Sequence, residues 1–414
     1  MNMTQNKIPP ATASSSVTRL AVVTETWPPE VNGVANTIFQ LVSGLLQRED
    51  YQIQLIRPQQ QSKQSVLSHE RLEETLTGSL TLPFYKEVKL GLPQYFYLKK
   101  HWTEQRPDIV QIVTEGPLGY AALRAAKALN IPVFSDFHTH FDQYSRYYRL
   151  GALLPLVKGY LRHLHNQSAV TLVPTHALKQ ELQQAGYQKL GIMERGVDTQ
   201  LFNPQRRSEA LRQSLGVTEN QLLVILVTRL AREKNIDLAF HAFRDIQQQV
   251  PDARFVLVGD GPERIRLSAA YPDCLFAGMQ HGAELATYYA SADLFLYPSS
   301  SETFGNVITE AMASGLPVVA YDYAATARHI RHQQNGMAIP LEDEAAFRAA
   351  AVRLATDTPL RKSLAVQARH TGKQLNWSRV VLQLDQIIRK LLSEVRNENV
   401  TPSECSGNPG LSDL

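Results

Sequence analysis

Residues 293–320, DLFLYPSSSETFGNVITEAMASGLPVVA, are the most informative part of this chain because they spell one complete βαβ unit. An apolar strand at 293–298 leads into a Ser-rich loop, a Gly turn, a helix that begins near Asn306, and a second apolar strand after Gly315. Parallel strands joined by a helix are typical of open α/β sheets, which bind ligands at the carboxyl ends of their strands. The loop before Asn306 is therefore a predicted ligand site.

Two carboxylates, Glu302 and Glu310, flank this Gly turn eight positions apart. Glu302 belongs to the loop, and Glu310 is about one turn into the helix. The helix N-terminus favours a phosphate through its free N–H groups and its dipole, and the carboxylates can accept hydrogen bonds from sugar hydroxyls. Two Glu residues at this spacing also occur by chance on exposed helices, where they have no function. Here they follow the carboxyl end of a buried strand, and this position favours a nucleotide-sugar site.

Size and composition predict a protein of two domains. The chain has 414 residues, 43% of them hydrophobic and 20% charged, which is typical of a globular protein. Its net charge of +3 gives no reason to expect a nucleic-acid partner. Cys274 and Cys405 are its two cysteines, too few for a disulfide framework, so we expect a cytoplasmic protein.

Short apolar runs alternate with amphipathic stretches in two successive series, which predicts an α/β protein with parallel sheets and crossover helices. Two Rossmann-like domains, 18–200 and 201–376, would face each other across a central cleft. Residues 377–392 have helical periodicity, and residues 1–17 and 393–414 have the composition of disordered tails. The predicted strands cover 20–24, 51–57, 109–113, 132–135, 169–174, 222–228, 254–258, 275–277 and 293–298.

Two cations, Arg229 and Lys234, follow the first strand of the second domain. From the carboxyl end of that strand, both could reach the cleft and neutralise a diphosphate, Arg as a planar fork and Lys as a point charge. Many such clusters are simply solvated basic loops. The position between strand and helix favours the binding role here.

The segment Asp136-Phe137-His138-Thr139-His140 follows another strand. Alternation would place Asp136, His138 and His140 on one side, which is compatible with a metal site. We favour the alternative that His138 alone faces the cleft, where it can hydrogen-bond a sugar hydroxyl or meet a developing charge. The sequence contains no Asp-x-Asp, the usual metal-binding pair for nucleotide sugars, so Arg229 and Lys234 would replace the metal.

Three further loops have the composition of ligand loops and of simple turns. Gly33 follows the first strand and allows close approach to backbone amides, but the loop is not Gly-x-Gly-x-x-Gly, so no dinucleotide site is predicted. Gly259 lies in Gly259-Asp260-Gly261-Pro262-Glu263, for which we favour a structural turn, with a ligand loop as the second interpretation. The backbone around Met279 could hydrogen-bond a nucleotide base.

Together these motifs resemble the retaining glycosyltransferases of family 4, which have the GT-B fold. The resemblance spans residues 19–392, and its most specific parts are the Glu302-x7-Glu310 block and the spaced pair Arg229 and Lys234. Residues 24–29, TETWPP, and 137–144, FHTHFDQY, are similar to the lipid-directed mannosyl-, glucosyl- and sulfoquinovosyltransferases of this family. Residues 322–326, DYAAT, depart from the Gly-Gly loop of many relatives.

The resemblance implies a role for each candidate residue. Arg229 and Lys234 would clamp the diphosphate, Glu310 the ribose and Glu302 the donor sugar. Gly33 would line the junction between donor and acceptor, His138 would lie beside the reacting carbon, and the helix at 377–392 would cross back to the first domain. Backbone amides would cap the distal phosphate, contributed by Phe304, Gly305, Asn306 and Val307.

We therefore expect a metal-independent hexosyltransferase that uses a nucleotide sugar, GDP-mannose or a UDP-hexose, and retains the anomeric configuration. Basic and aromatic residues at 86–106 and 146–150 favour a lipid or glycolipid acceptor and peripheral contact with an anionic membrane, on its inner face. A solvated helix face would have the same composition. Three alternatives remain: a soluble or polysaccharide acceptor, a nucleotide-sugar epimerase on the same fold, and a non-catalytic nucleotide-sugar sensor.

Overall fold

The computed structural model describes residues 17–30, 32–60, 66–82, 85–138 and 154–400. Its strands are β1 (Thr18–Val23), β2 (Tyr51–Pro58), β3 (Leu72–Thr77), β4 (Ser79–Leu82), β5 (Tyr85–Gly91), β6 (Ile109–Ile112), β7 (Val133–Asp136), β8 (Val170–Val173), β9 (Leu190–Ile192), β10 (Leu223–Val227), β11 (Arg254–Val258), β12 (Leu275–Gly278), β13 (Leu294–Tyr297), β14 (Val318–Tyr321) and β15 (Met337–Ile339).

Helices connect most of these strands. They are α1 (Gly33–Leu46), α2 (Tyr95–Glu104), α3 (Pro117–Ala128), α4 (Leu154–Asn166), α5 (His176–Gln184), α6 (Glu209–Ser214), α7 (Ile236–Gln249), α8 (Arg264–Ala270), α9 (Gly282–Ser291), α10 (Asn306–Ala313), α11 (Ala324–His329), α12 (Glu344–Thr356), α13 (Thr358–Gln374) and α14 (Trp377–Val400), with short 3₁₀ turns at Pro204–Arg206 and Arg232–Lys234.

Two parallel sheets organise the described residues. The first has the order β3-β2-β1-β6-β7-β8-β9 and the second the order β12-β11-β10-β13-β14-β15. In each sheet the strand order reverses once, between β1 and β6 and between β10 and β13. Ligands of open α/β sheets bind at such reversal points, outside the carboxyl ends of the strands. The loops after these four strands are therefore where the fold itself places a ligand.

Each sheet has its own hydrophobic core, because its strands are almost entirely apolar and helices cover both faces. Helix α14 belongs to the core of the first sheet, although it follows the second in sequence. Its residues Val380, Val381 and Leu384 are buried against α1, and Asp385 accepts a hydrogen bond from the Tyr51 hydroxyl at 2.8 Å. The predicted crossing of the C-terminal helix back to the first domain is confirmed.

The helix α14 is longer than predicted. It runs to Val400, so the prediction of disorder from residue 393 was wrong for 393–400. Continuation is physically reasonable because this segment contains no Gly or Pro, and Lys390 and Glu394 form an i,i+4 ion pair at 3.8 Å. The predicted tails at 1–16 and 401–414 lie outside the described residues.

Within the described ranges, the structure has no helix both long and apolar enough to cross a bilayer.

Candidate active site

The reversal point of the second sheet brings Lys234 and Glu302 into direct contact. Lys234 ends the 3₁₀ turn after β10, and Glu302 lies in the loop after β13. Lys234 Nζ is 2.5 Å from Glu302 Oε1, and the two side chains are 14% and 16% exposed. The sequence predicted that both residues face the ligand, one at the diphosphate and one at the sugar. In the structure they form one mostly buried ion pair.

Two hydroxyl groups complete the surroundings of Glu302. The Tyr297 hydroxyl donates to Oε1 at 2.5 Å, and Ser299 Oγ donates to the same oxygen at 2.8 Å. Burial raises the pKa of Glu302, but Lys234, Tyr297 and Ser299 together outweigh it and lower this pKa below its ordinary value. Glu302 is therefore ionised at neutral pH and can accept hydrogen bonds.

Arg229 lies in the same loop as Lys234. Its guanidinium is 41% exposed and pairs with Glu233, one helical turn along. Because Glu233 is itself mostly buried, this carboxylate holds the Arg229 guanidinium close to the loop after β10. The structure therefore keeps both predicted cations on one loop at the end of β10, each with a carboxylate partner.

Glu310 lies on α10, about one turn beyond Asn306. The Tyr289 hydroxyl donates to Glu310 Oε2 at 3.0 Å. Burial raises the pKa of Glu310 to about 7, with the Tyr289 hydrogen bond acting in the opposite direction. This carboxyl group is thus poised between its charged and neutral forms near neutral pH.

The N-terminus of α10 meets the first domain across the cleft. Gly305 adopts a left-handed φ of 91°, and no side chain caps the helix, so its first amides point outward without a side-chain partner among the described residues. A Cβ at Gly33 would lie 3.2 Å from Asn306 Nδ2, and Thr303 Oγ1 donates to the His138 carbonyl oxygen at 3.0 Å. The structure therefore brings the predicted residues Gly33, His138 and 304–307 together.

The His138 ring is buried between a cation and an anion. Arg195 NH2 lies 2.5 Å from His138 Nδ1, and Asp136 Oδ2 lies 3.7 Å from Nε2. A guanidinium can only donate, so Nδ1 accepts and Nε2 carries the proton. Burial, followed by the charge of Arg195, lowers the pKa of His138 against the opposing effect of Asp136. The ring is therefore neutral at physiological pH.

This arrangement bears on the alternative of a metal site. The Arg195 guanidinium opposes a second cation at His138, and His140 lies outside the described residues. Where the chain is described, no cluster of three or more His, Cys, Asp or Glu side chains could hold a metal.

Arg195 was not among the predicted site residues. It lies just before Gly196-Val197-Asp198, at the end of the first domain, and its positive charge there is the one sequence feature that could have indicated a role in the site.

Gly259 follows β11, which pairs with β10, and Met279 follows β12, which pairs with β11. Gly259 has a φ of +131°, and a Cβ there would lie 1.9 Å from the Thr228 carbonyl oxygen, so close packing of the β10 and β11 loops requires glycine. Its amide donates to the Gly278 carbonyl at 2.8 Å, which ties it to the turn before Met279. The Met279 side chain is half exposed, and its predicted backbone contact with a base stays a prediction.

The fold and site define a glycosyltransferase of the GT-B class. A sucrose-phosphate synthase from Thermosynechococcus elongatus matches 91% of this chain and all of its own at a TM-score of 0.73, with 18% identity. HepE of Anabaena, solved with UDP and glucose, matches 89% of this chain and 99% of its own at 0.70, with 19% identity. These similarities confirm the predicted two-domain fold.

The chain belongs to glycosyltransferase family 4. The model described as Glycosyltransferase Family 4 matches residues 31–201, and the one described as Glycosyl transferases group 1 matches residues 221–357. A GDP-mannose-dependent alpha-mannosyltransferase of Mycobacterium tuberculosis is 31% identical over 78% of this chain and 84% of its own. The sulfoquinovosyl transferase SQD2 of Arabidopsis thaliana is 31% identical over 87% and 71%. The protein is thus a hexosyltransferase that uses a nucleotide sugar, as predicted.

Proposed function

We propose that this enzyme transfers a hexose from GDP-mannose or a UDP-hexose to a lipid acceptor and retains the anomeric configuration. The observation that carries the proposal is the Lys234–Glu302 pair at the reversal point of the second sheet. Relatives support the substrate classes: one is named for GDP-mannose, and an alpha-monoglucosyldiacylglycerol synthase of Streptococcus pneumoniae is 26% identical over 73% of this chain and 71% of its own.

The Lys234–Glu302 pair offers a hydrogen-bond donor to the diphosphate and a hydrogen-bond acceptor to the sugar of a nucleotide sugar. An ammonium group has three N–H bonds. Lys234 directs one to Glu302 and one, at 3.5 Å, to the Ser301 carbonyl, so the third can donate to a phosphate oxygen. Glu302 is ionised and can accept from sugar hydroxyls while it keeps Lys234 in place. In this proposal the pair bridges the sugar and the diphosphate.

Charge stabilisation on the leaving diphosphate is the main catalytic effect in this proposal. Lys234, Arg229 and the amides at 304–307 would surround the phosphate oxygens, and the dipole of α10 adds to their effect. The acceptor hydroxyl would attack the face that the phosphate leaves, and a phosphate oxygen would take its proton. We assign the neutralisation that a divalent metal provides in other enzymes to these protein groups, and full activity in EDTA would support that assignment.

Donor binding can be measured without an acceptor. We expect one of GDP-mannose, UDP-glucose and ADP-glucose to raise the melting temperature by several degrees at saturation, since tight binding to the native state stabilises it. Incubation with that donor should give no altered free nucleotide sugar, and a lipid extract should give an α-linked glycolipid by NMR. An altered free nucleotide sugar in the absence of acceptor would establish the epimerase instead, and donor binding without any product would establish the sensor.

An exposed patch on the first domain fits a membrane surface. We define the α2–α4 surface as Phe96, Tyr97, Lys99 and Lys100 on α2 with Leu156 on α4. Phe96 is 84% exposed and Leu156 is 72% exposed. Helix α3 joins the two helices, because Arg124 lies over the Tyr95 ring and the Tyr120 and Tyr160 rings are 5.7 Å apart.

Cations beside exposed apolar side chains favour adsorption to anionic lipid, so we propose peripheral contact at the inner face of the cytoplasmic membrane. Trp102, which the sequence grouped with this patch, is fully buried in the core and plays no part in it. The basic run at 146–150 lies outside the described residues.

Liposome flotation tests this surface. We expect the wild type to float with vesicles of anionic phospholipid at low salt and the triple variant Phe96→Ser, Lys99→Glu, Lys100→Glu to remain at the bottom. Each cation near an anionic surface contributes about 1 kcal/mol, and the charge reversals also add repulsion. Ile265→Ser is the matched control, because Ile265 is 84% exposed on the second domain and should not affect flotation. A wild type that never floats would favour a soluble or polysaccharide acceptor.

A further inference from the structure

The carboxylate of Glu310 is held from one side only. Its Oε2 accepts the hydroxyl of Tyr289 at 3.0 Å, while Oε1 has no hydrogen-bond partner among the described residues and is not sealed from solvent. Glu302 differs, because Lys234, Tyr297 and Ser299 all converge on its Oε1. The geometry of Glu310 therefore depends on a single phenol.

Tyr289 is itself rigidly placed. It lies in the last turn of α9, is fully buried, and packs against the rings of Phe202 and Phe295 at centroid distances of 5.7 and 5.8 Å. A buried phenol needs a hydrogen-bond partner, and Glu310 provides it. The ring contacts fix the hydroxyl, and the hydroxyl in turn fixes one carboxylate oxygen.

We propose that Tyr289 is a positioning residue for the nucleotide-sugar donor, because it holds Glu310 so that Oε1 faces the ribose hydroxyls. This inference rests on the proposed function, which assigns the ribose to Glu310. A carboxylate free to rotate would lose side-chain entropy on binding and would meet the two hydroxyls in a smaller fraction of its orientations. The contribution of Tyr289 therefore belongs to donor binding and not to the chemical step.

The charge of Glu310 depends on the same contact. Burial raises its pKa to about 7, and the Tyr289 hydrogen bond counteracts part of that rise. The surrounding elements also carry titratable or charged groups, among them Glu284 and Tyr288 on α9, Tyr297 on β13, His329 beside Phe304, and Arg369, which donates to the Ala313 carbonyl. Burial and Tyr289 are the causes of the Glu310 shift. Loss of the phenol hydroxyl should therefore raise this pKa further and favour the neutral acid at pH 7.

Tyr289→Phe tests the proposal with almost no change in volume. We expect the KM for the donor to rise about tenfold, in line with the loss of a hydrogen bond to a charged group, while kcat changes by less than about threefold. The donor affinity of the wild type should fall as the pH drops through about 7, because Glu310 becomes protonated. In Tyr289→Phe this fall should occur at higher pH, so the deficit shrinks in alkaline buffer.

Tyr321→Phe is the matched control. Tyr321 is also buried in the second domain, but its hydroxyl has no hydrogen-bond partner among the described residues. The acidic residues near it, 342–344, lie at or just before the start of α12 and not on α10. This variant should keep the donor KM of the wild type and its pH dependence. Equal losses in both variants would show that the effect of Tyr289→Phe is a general one of packing and would overturn the proposal.

Glu310→Gln separates failure of this inference from failure of the proposed function. If Glu310→Gln weakens donor binding and Tyr289→Phe does not, Glu310 binds the donor without help and the positioning role is refuted. If neither variant changes the donor KM, the ribose assignment itself is wrong. A parallel loss in both, with the alkaline shift confined to Tyr289→Phe, establishes the positioning role.

Discussion

Replacing Lys234 by Ala should lower kcat by about a hundredfold or more, while the donor KM changes far less. Removal of one group that stabilises developing charge typically costs ~10²–10³ in kcat. Lys234 sits 14% exposed at the end of β10, where little solvent can substitute for the lost ammonium. Steady-state kinetics with donor and acceptor both varied gives the two constants separately.

The same substitution should change the pH profile. Glu302 stays buried after Lys234 is removed, so the burial that raises its pKa then acts without its principal opposing charge. The pKa of Glu302 should rise, and activity that needs the ionised carboxylate should move to higher pH. A residual activity with an unshifted acid limb would show that Glu302 does not act in its charged form.

Arg232→Ala is the control for Lys234→Ala. Arg232 lies in the same 3₁₀ turn, but it is 78% exposed and pairs with Glu263 outside the site. Exposed ion pairs contribute ~0–1 kcal/mol to stability, so this variant should keep both its fold and its turnover. If Arg232→Ala lost as much activity as Lys234→Ala, the loop would act through its shape or total charge, and the assignment of Lys234 would fail.

The order of strands and loops was accessible from the sequence because each βαβ unit carries its own local signals. An apolar strand, a polar loop and an amphipathic helix recur along the chain, and the strand at 254–258 was predicted with its observed bounds. Strands β3 to β5 and helix α2 were not predicted. The strands β3 and β5 carry many charges, as in LEETLT and YKEVKLG, and their pairing is set by long-range contacts rather than by local periodicity.

Convergence of Lys234 and Glu302 on one place followed from topology, but their direct pairing did not. The sequence fixes which loops share the carboxyl edge of a sheet, whereas side-chain distances depend on packing that no local pattern encodes. The same reason explains why Tyr289 and Tyr297 were missed. Both tyrosines lie in apolar runs, ATYYAS and LFLY, where their rings fit the core pattern and their hydroxyls give no signal. Sequence patterns thus located the carboxylates and not the phenols that orient them.

Gly259→Ala should strongly destabilise the second domain, although it adds only one methyl group. The new Cβ would lie 1.9 Å from the Thr228 carbonyl oxygen, and the residue would have to keep a φ of +131°, which L side chains rarely adopt. Strain and overlap together should lower the free energy of unfolding by about 3 kcal/mol or more. Urea denaturation monitored by tryptophan fluorescence and by circular dichroism would measure the loss.

Gly216→Ala separates the two contributions to that loss. Gly216 also has a positive φ, +69°, but a Cβ there would meet nothing within 4 Å. The Gly216→Ala substitution should therefore lower the free energy of unfolding by only about 1 kcal/mol, which is the cost of the positive φ alone. A similar small loss in Gly259→Ala would show that the β10 and β11 loops separate easily. Thr228 immediately precedes Arg229, so a rigid backbone contact between Gly259 and Thr228 also fixes the loop that carries the cations of the site. The donor affinity of any folded Gly259→Ala protein should therefore fall along with its stability.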